Sequence, residues 1–187
     1  MKNEIKKTVE VLKNGGIILY PTDTVWGIGC DATNADAVEK IYKLKQRSDS
    51  KSMLVLVDSA NRISRYVKQI PNIASDLIEL SDTPLTIIYP QAVNLAPNLI
   101  SEDGTIGIRV VNHEFCKQLI FALNRPIVST SANISGEKSP IIFEEIASEI
   151  RNNVDFTVNK IFEGNPTGKP SAIIKLGLKN EVEVIRK

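Results

Sequence analysis

A single histidine, His113, stands in the whole chain, and beside it only two cysteines and one tryptophan. With one imidazole, neither a histidine-based metal cluster nor a serine-histidine-acid triad with a histidine to spare is readily built, so His113 is expected at a helix cap or on the surface. Cys30 and Cys116 are too few for a disulfide framework, and Met1-Lys2-Asn3-Glu4 opens an amphipathic pattern rather than the uncharged core of a secretory signal. Both thiols are therefore expected free, in a cytoplasmic chain. The apolar runs Gly15 to Tyr20 and Met53 to Val57 fall far short of the roughly 20 residues that cross a bilayer, and no membrane partner is expected. Excess charge is also missing: the net charge is +1, so any case for a nucleic-acid partner has to be local. One local feature exists, a stretch from Ser59 to Ser75 without a carboxylate, in which Arg62, Arg65 and Lys68 recur at helical spacing.

What is present suits a buried core. The 187 residues are 42% hydrophobic and 24% charged, which fits one α/β domain and not a disordered chain. Asn3 can cap a helix with Ile5, Val9 and Leu12 on one side, ended by Gly15-Gly16 before a strand at Ile17 to Tyr20. A polar loop from Pro21 to Thr33 leads to a helix capped near Asn34, with Val38, Ile41 and Tyr42 on one face and Lys43, Lys45 and Arg47 at its C-terminal end, where cations suit the helix dipole. Further strands are expected at Met53 to Val57, Leu85 to Tyr89, Ile106 to Val110, Ile127 to Thr130, Ala172 to Lys175 and Val182 to Ile185. Two helical stretches parted by Pro71 fill Ser59 to Ser81, one more carries Phe115, Leu119 and Ala122, and another Phe143, Ile146, Ala147 and Ile150. Interleaved helices and strands predict helices packed on a mixed, largely internal sheet.

Two glycine-rich segments suggest nucleotide folds and fail on context. Gly27-Ile28-Gly29-Cys30-Asp31-Ala32, with Asp49 at about the right distance, fits a dinucleotide fingerprint, but Pro21-Thr22-Asp23-Thr24 separates it from the preceding strand and the helix begins only after Asn34. Gly164 to Pro170 has its first glycine one position too close for a phosphate loop, and Pro170 occupies the place of the magnesium-binding hydroxyl.

Three segments carry chemistry. Pro21-Thr22-Asp23-Thr24 sets two hydroxyls and a carboxylate just past a strand end, a common place for ligand sites in α/β sheets. Lys45, Arg47 and Lys51 concentrate cations suited to a polyphosphate. Ser129-Thr130-Ser131-Ala132-Asn133-Ile134-Ser135-Gly136 runs from an apolar strand into four hydroxyls and an amide with no charge, a donor and acceptor array suited to a neutral or anionic ligand.

Together with Ile106-Gly107-Ile108-Arg109-Val110, these segments resemble the YrdC-like threonylcarbamoyl-adenylate synthases over residues 15–186. The resemblance implies a single domain over residues 1–187, with a twisted mixed sheet, surrounding helices and a concave cationic cavity. It implies an enzyme that joins L-threonine, bicarbonate or carbon dioxide, and ATP with Mg2+ into threonylcarbamoyl-AMP and pyrophosphate, for the threonylcarbamoyl modification of adenosine in tRNA. Thr22, Arg109, Ser129 and Ser171 correspond to threonine contacts. Lys45 and Arg47 take the catalytic part at the polyphosphate, and Arg47, Lys51, Thr105, Ser131, Asn133, Ser139 and Arg186 match nucleotide contacts. No protein ligand set for a metal is implied, and downstream tRNA-modification transferases are the implied partners.

The chain departs from the family pattern at Asp82-Thr83-Pro84-Leu85-Thr86, at Ser48, Ser52 and Val111 where prolines are usual, and at Trp26 where tyrosine is frequent. It also ends soon after Arg186, so closure over the site is expected without the extra C-terminal domain of longer members. A double-stranded RNA or ribosome-assembly module on the same fold, using the Arg62-Arg65-Lys68 face and with tRNA or other RNA as partner, is the second reading. A carbamoyl-transfer domain of the kind found inside far longer chains is the third.

Overall fold

The computed structural model describes residues 1–46 and 53–187 of the chain. Helix α1 (Lys2–Lys13) buries Ile5, Thr8 and Leu12 on one side, as the 3.6-residue repeat requires. It starts from Met1, whose carbonyl accepts from the Ile5 amide at 3.0 Å, so the expected cap at Asn3 is already inside the helix. Strand β1 (Ile18–Tyr20) is followed by β2 (Gly27–Gly29), which returns antiparallel with Ile18 opposite Gly29 and Tyr20 opposite Gly27. β2 lies inside the stretch expected to be loop, because three residues with two glycines give no alternation to read. Helix α2 (Ala35–Leu44) is capped by the Asn34 side chain, which accepts from the Ala37 amide at 3.1 Å, the N-cap contact that its side chain favours.

Strand β3 (Leu54–Val57) precedes a 3₁₀ helix at Ala60–Arg65 and helix α3 (Ile73–Glu79), one on each side of Pro71. Strands β4 (Leu85–Tyr89) and β5 (Ile106–Val110), helix α4 (Glu114–Leu123) and strand β6 (Ile127–Ser131) follow. The single helix expected around Phe143 to Ile150 is instead a 3₁₀ turn, Phe143–Glu145, and a short α5 (Ser148–Asn152). Ile146 joins them with extended backbone while its side chain is buried, so burial of the apolar positions does not need a continuous helix. Strand β7 (Phe156–Thr157), too short to be read from pattern, pairs parallel with β1, and β8 (Ala172–Leu176) and β9 (Val182–Arg186) complete the chain.

Among the described residues these strands form one mixed sheet in the order β7-β1-β2-β6-β3-β5-β4-β8-β9. β3 runs parallel to β5 and β4 to β8, while β2–β6, β3–β6, β4–β5 and β8–β9 are antiparallel. Because strand side chains alternate between faces, one face delivers Leu19, Ile28, Val55, Ile108, Ile87 and Val128 to a core shared with α2 and α3. The other delivers Ile18, Tyr20, Leu56 and Ile127 to a core closed by α1 and α4. Full burial of each such aliphatic side chain contributes about 1.5–3 kcal/mol. The helices of this second face cover only part of it, and the uncovered part holds the candidate site. Among the described residues no helix is long and apolar enough to cross a membrane.

Gly29 fixes how closely β1, β2 and β6 approach. A Cβ there would stand 2.4 Å from the Val128 carbonyl oxygen and 2.7 Å from Tyr20 Cε1, closer than such atoms can come. Gly29→Ala is expected to destabilise the fold by about 1–3 kcal/mol through overpacking, read as a lowered denaturant midpoint with unchanged slope.

Candidate functional site

Strand registers place the chemistry. Gly27 lies opposite Ser131, Leu54 opposite Ser129, Thr86 opposite Arg109 and Ile173 opposite both Thr86 and Arg186. Cross-strand partners share a face, so seven neighbouring strands present one row of side chains to the face that α1 and α4 leave open. That row floors a cavity of about 490 Å³ whose walls include Thr22, Arg109, Ser129, Ser131, Ser139, Ser171 and Arg186, seven of the residues singled out in the sequence. Gly27 keeps the middle clear: a Cβ there would project between Thr22 Cγ2 at 3.6 Å and Ser129 Oγ at 3.5 Å.

Arg109 is 3% exposed and its Nη2 lies 3.0 Å from Asp23 Oδ1. Asp23 is held in turn by the Asn112 amide, which donates to Oδ2 at 2.9 Å. Arg109 Nε is buried without a hydrogen-bond partner, an unsatisfied donor that an incoming carboxylate can fill. Arg186 donates through Nε and Nη2 to the Ser171 carbonyl at 2.9 and 2.8 Å. Burial, and then the charge of Arg109, lower its pKa from the usual guanidinium value, as expected where two cations face one cavity. The Thr22 hydroxyl is engaged in its own turn, 2.7 Å from the Val25 carbonyl and 2.9 Å from Thr24 Oγ1, so Thr22 shapes the wall through a locked rotamer. Ser171 Oγ and Thr86 Oγ1 are 2.7 Å apart.

The remaining candidates lie around this cavity. Lys45 is 3% exposed and its ammonium donates to the carbonyls of Ser131 and Asn133, the latter at 2.6 Å. It does not line the cavity; it fixes the hydroxyl-rich segment that does. Asn133 faces inward too, its amide donating to the Ile134 and Glu137 carbonyls at 2.8 and 2.9 Å. Thr105 lines a smaller pocket of about 110 Å³, which shares Met53, Leu54 and Ile173 with the main cavity. Its hydroxyl donates to Asp103 Oδ1 at 2.6 Å, and Asp103 is kept ionised to a pKa of about 2 by hydrogen bonds from Lys175 and then Thr105. Arg47 and Lys51, like Ser48, Asp49 and Ser52, lie outside the described residues.

The sequence reading took Gly164 to Pro170 as a loop and missed how this strap, which brings Pro170 and Ser171 to the cavity, is fastened. Glu163 Oε1 accepts from the Trp26 indole and, at 3.1 Å, from the Phe143 amide. Its carbonyl lies 3.2 Å from His113 Nε2. Farther along, the amides of Thr167 and Gly168 donate to the Asp23 and Thr24 carbonyls at 3.0 and 2.9 Å. This strap fastens Ser171 against the Thr22–Val25 turn. The usable signal was Trp26 itself, since a buried indole N–H calls for an acceptor. His113 stands at the N-cap position of α4 without a capping bond from its side chain. Cys30 and Cys116 are free and buried, and burial pushes both thiols up, away from nucleophilic chemistry. Arg62 and Arg65 converge on Asn124 Oδ1 at 2.7 and 3.2 Å, and Arg62 pairs with Asp58 at 3.0 Å, so a carboxylate just before the basic stretch offsets part of its charge.

A family model, Sua5_yciO_yrdC, described as telomere recombination, matches residues 10–187. The threonylcarbamoyl-AMP synthase of Pseudoalteromonas translucida (strain TAC 125) is 33% identical over 175 residues, covering 92% of this chain and 92% of its own. The solved structure of Escherichia coli YciO superposes with a TM-score of 0.84 at 26% identity, over 100% of this chain and 90% of that one. The P. abyssi Sua5 structure complexed with L-threonine gives 0.83 at 27% identity over 92% of this chain, which spans only 50% of that longer protein.

Removing the Glu163 carboxylate by Glu163→Ala strands the Trp26 indole and the Phe143 amide. A loss of about 2 kcal/mol is expected, the usual cost of buried donors left unmet, together with faster amide hydrogen exchange at Thr167 and Gly168. Exchange there as slow as in the parent chain would show that the strap is held by other contacts.

Proposed function

We infer the activity of this chain from the Sua5/YciO/YrdC family, to which it belongs, and from its cavity: it is a threonylcarbamoyl-AMP synthase, joining L-threonine, carbon dioxide or bicarbonate, and MgATP. The observation that carries the reading is the Arg109 guanidinium, buried in a hydroxyl-lined cavity with its Nε lacking a hydrogen-bond partner. A planar fork of this kind suits an amino-acid carboxylate. Ser129 and Ser171 offer hydroxyls beside it, and the Thr22 turn with Gly27 sets the space left for the side chain. The L-threonine complex of P. abyssi Sua5 supports the same assignment by likeness.

ATP takes the side of Ser131, Ser139 and Arg186, with Thr105 reached through the adjoining pocket. Because the Thr105 hydroxyl gives its proton to Asp103, its oxygen remains an acceptor for a base N–H. Asn133 contributes by ordering the Ser131–Glu137 turn, and Lys45 by holding that segment's carbonyls. Arg47 and Lys51 supply cations for the polyphosphate, and magnesium arrives with ATP as part of the substrate.

The threonine amine adds to carbon dioxide, or to bicarbonate with loss of water, and gives a carbamate. A carbamate oxygen attacks the α-phosphorus, and the bond to the β-phosphate oxygen breaks to release pyrophosphate. Lining residues that can ionise in the described cavity are guanidiniums, so the protein contributes alignment and charge stabilisation rather than acid-base relay. Alignment alone can lower the barrier by about 7–11 kcal/mol at best. The product serves the downstream transferases that modify adenosine in tRNA.

Purified protein with MgATP and bicarbonate is expected to release pyrophosphate only when threonine is added. Arg109→Ala should raise the threonine KM by at least tenfold, the loss of a charge-assisted contact of about 1.5–3 kcal/mol. Gly27→Ala should raise it too, with stability within about 0.5 kcal/mol of the parent, because its Cβ would make ordinary van der Waals contacts, the nearest with the Thr130 carbonyl oxygen at 3.4 Å. Threonine-independent release, or none, would refute the assignment.

A further inference from the structure

A second cavity, of about 390 Å³, lies on the opposite face of the sheet. Alternation along the strands shows this: Arg109 of β5 lines the first cavity and Thr86 of β4 the smaller pocket beside it, whereas Leu85 and Ile87 of β4 and Ile108 and Val110 of β5 line the second. Ile63 and Ile78 complete its apolar side. The two cavities are separated by the Arg109–Asp23 ion pair, with Arg109 lining the first and Asp23 the second.

The polar side of this second cavity is built and charged in a defined way. Asp23 is 8% exposed, and its Oδ1, although ion-paired with Arg109, lacks a hydrogen-bond partner. Asp82 is an exposed carboxylate on the rim, and Lys117 is the only cation among the described residues that line the cavity. The Lys117 ammonium donates to Asn112 Oδ1 at 2.9 Å, which ties it to the same turn that holds Asp23 through the Asn112 amide. With Asp23 offset by Arg109, the rim balances one carboxylate against one ammonium over an apolar floor. A cation alone would leave Lys117 unanswered, and an anion alone would leave Asp82 unanswered. A small zwitterion answers both. The Asp82-Thr83-Pro84 segment, which departs from the family pattern, supplies part of this rim.

We propose that the second cavity binds a free α-amino acid with a small apolar side chain, its ammonium toward Asp82, its carboxylate toward Lys117, and its side chain on the isoleucine floor. This binding does not depend on the reaction assigned to the first cavity.

The test is an NMR titration of amide-labelled, full-length protein with L-valine, and in parallel with isobutylamine and with isobutyrate, which carry the same chain and one charge each. Valine is expected to give saturable shifts at Ile108, Val110, Asn112 and Thr167, with at least tenfold weaker responses to either analogue. Asp82→Asn and Lys117→Met, checked for an unchanged melting temperature, should each weaken valine at least fivefold. The proposal is overturned if valine produces no saturable shift, if one analogue binds as well as valine, if both variants bind like the parent, or if the shifts centre on Ser129–Ser131. That last outcome would place valine in the first cavity and would leave the synthase assignment untouched.

Discussion

The ion pair of Arg109 and Asp23 is the constraint around which the site is arranged. A guanidinium this deeply buried is costly unless a carboxylate meets it, and the penalty for each isolated ion amounts to several kcal/mol. Asp23 therefore has to be delivered to the end of β5 from the loop between β1 and β2, elements far away in sequence. The Asn112 amide fixes one carboxylate oxygen, and the Asp23 carbonyl accepts from the Thr167 amide. The same short segment thus anchors a cation, a strand end and the strap that bears Ser171. One nitrogen of the guanidinium, Nη2, meets Asp23, while Nε is buried without a hydrogen-bond partner in a side chain that lines the cavity. Orientation is prepared before any ligand arrives, which is what a site that works by positioning requires.

Two glycines of the segment that imitates a dinucleotide fingerprint have separate physical purposes. Gly29 permits backbone and ring contacts that no side chain would allow, whereas Gly27 keeps space open between Thr22 and Ser129. Neither approaches a helix N-terminus, the feature a pyrophosphate site of that kind needs. The spacing matched, but the strand β2 that contains both glycines shows a different cause for it.

Much of the architecture was legible because periodicity reports burial. The α2 cap at Asn34, the β4 and β5 strands and the break at Pro71 all follow from local chemistry. β2 and β7 were not legible, since a three-residue glycine strand and a two-residue strand carry no period, and their pairing is decided by partners distant in the chain. Within the site, Thr22, Arg109, Ser129 and Ser171 could be singled out as residue types, yet that Arg109 and Ser129 share one face follows only from registers, and that the loop residues Thr22 and Ser171 border the same cavity only from the fold. Lys45 shows the limit most clearly. As a cation near others it suggested phosphate chemistry, but its ammonium reaches the Ser131 and Asn133 carbonyls, and its own carbonyl accepts from the Ser135 amide at 3.4 Å, long-range partners that no local pattern announces.

The strap explains how Trp26 can stand where tyrosine is usual. An indole N–H is a donor only, and Glu163 supplies an acceptor that is shared with the Phe143 amide. The Trp26 and Phe143 rings meet at 5.2 Å with an interplanar angle of 58°, a tilted contact favoured by the aromatic quadrupole. Indole, carboxylate and ring form one unit joining β2, the turn before α5 and the wall at Ser171. Replacing the indole with a phenol would move the donor and strand the carboxylate, so Trp26 and Glu163 have to be understood as a pair. Closure of the cavity on that side then rests on contacts internal to the described chain: the Trp26–Glu163 unit at one end of the strap and the Asp23 and Thr24 carbonyls at the other.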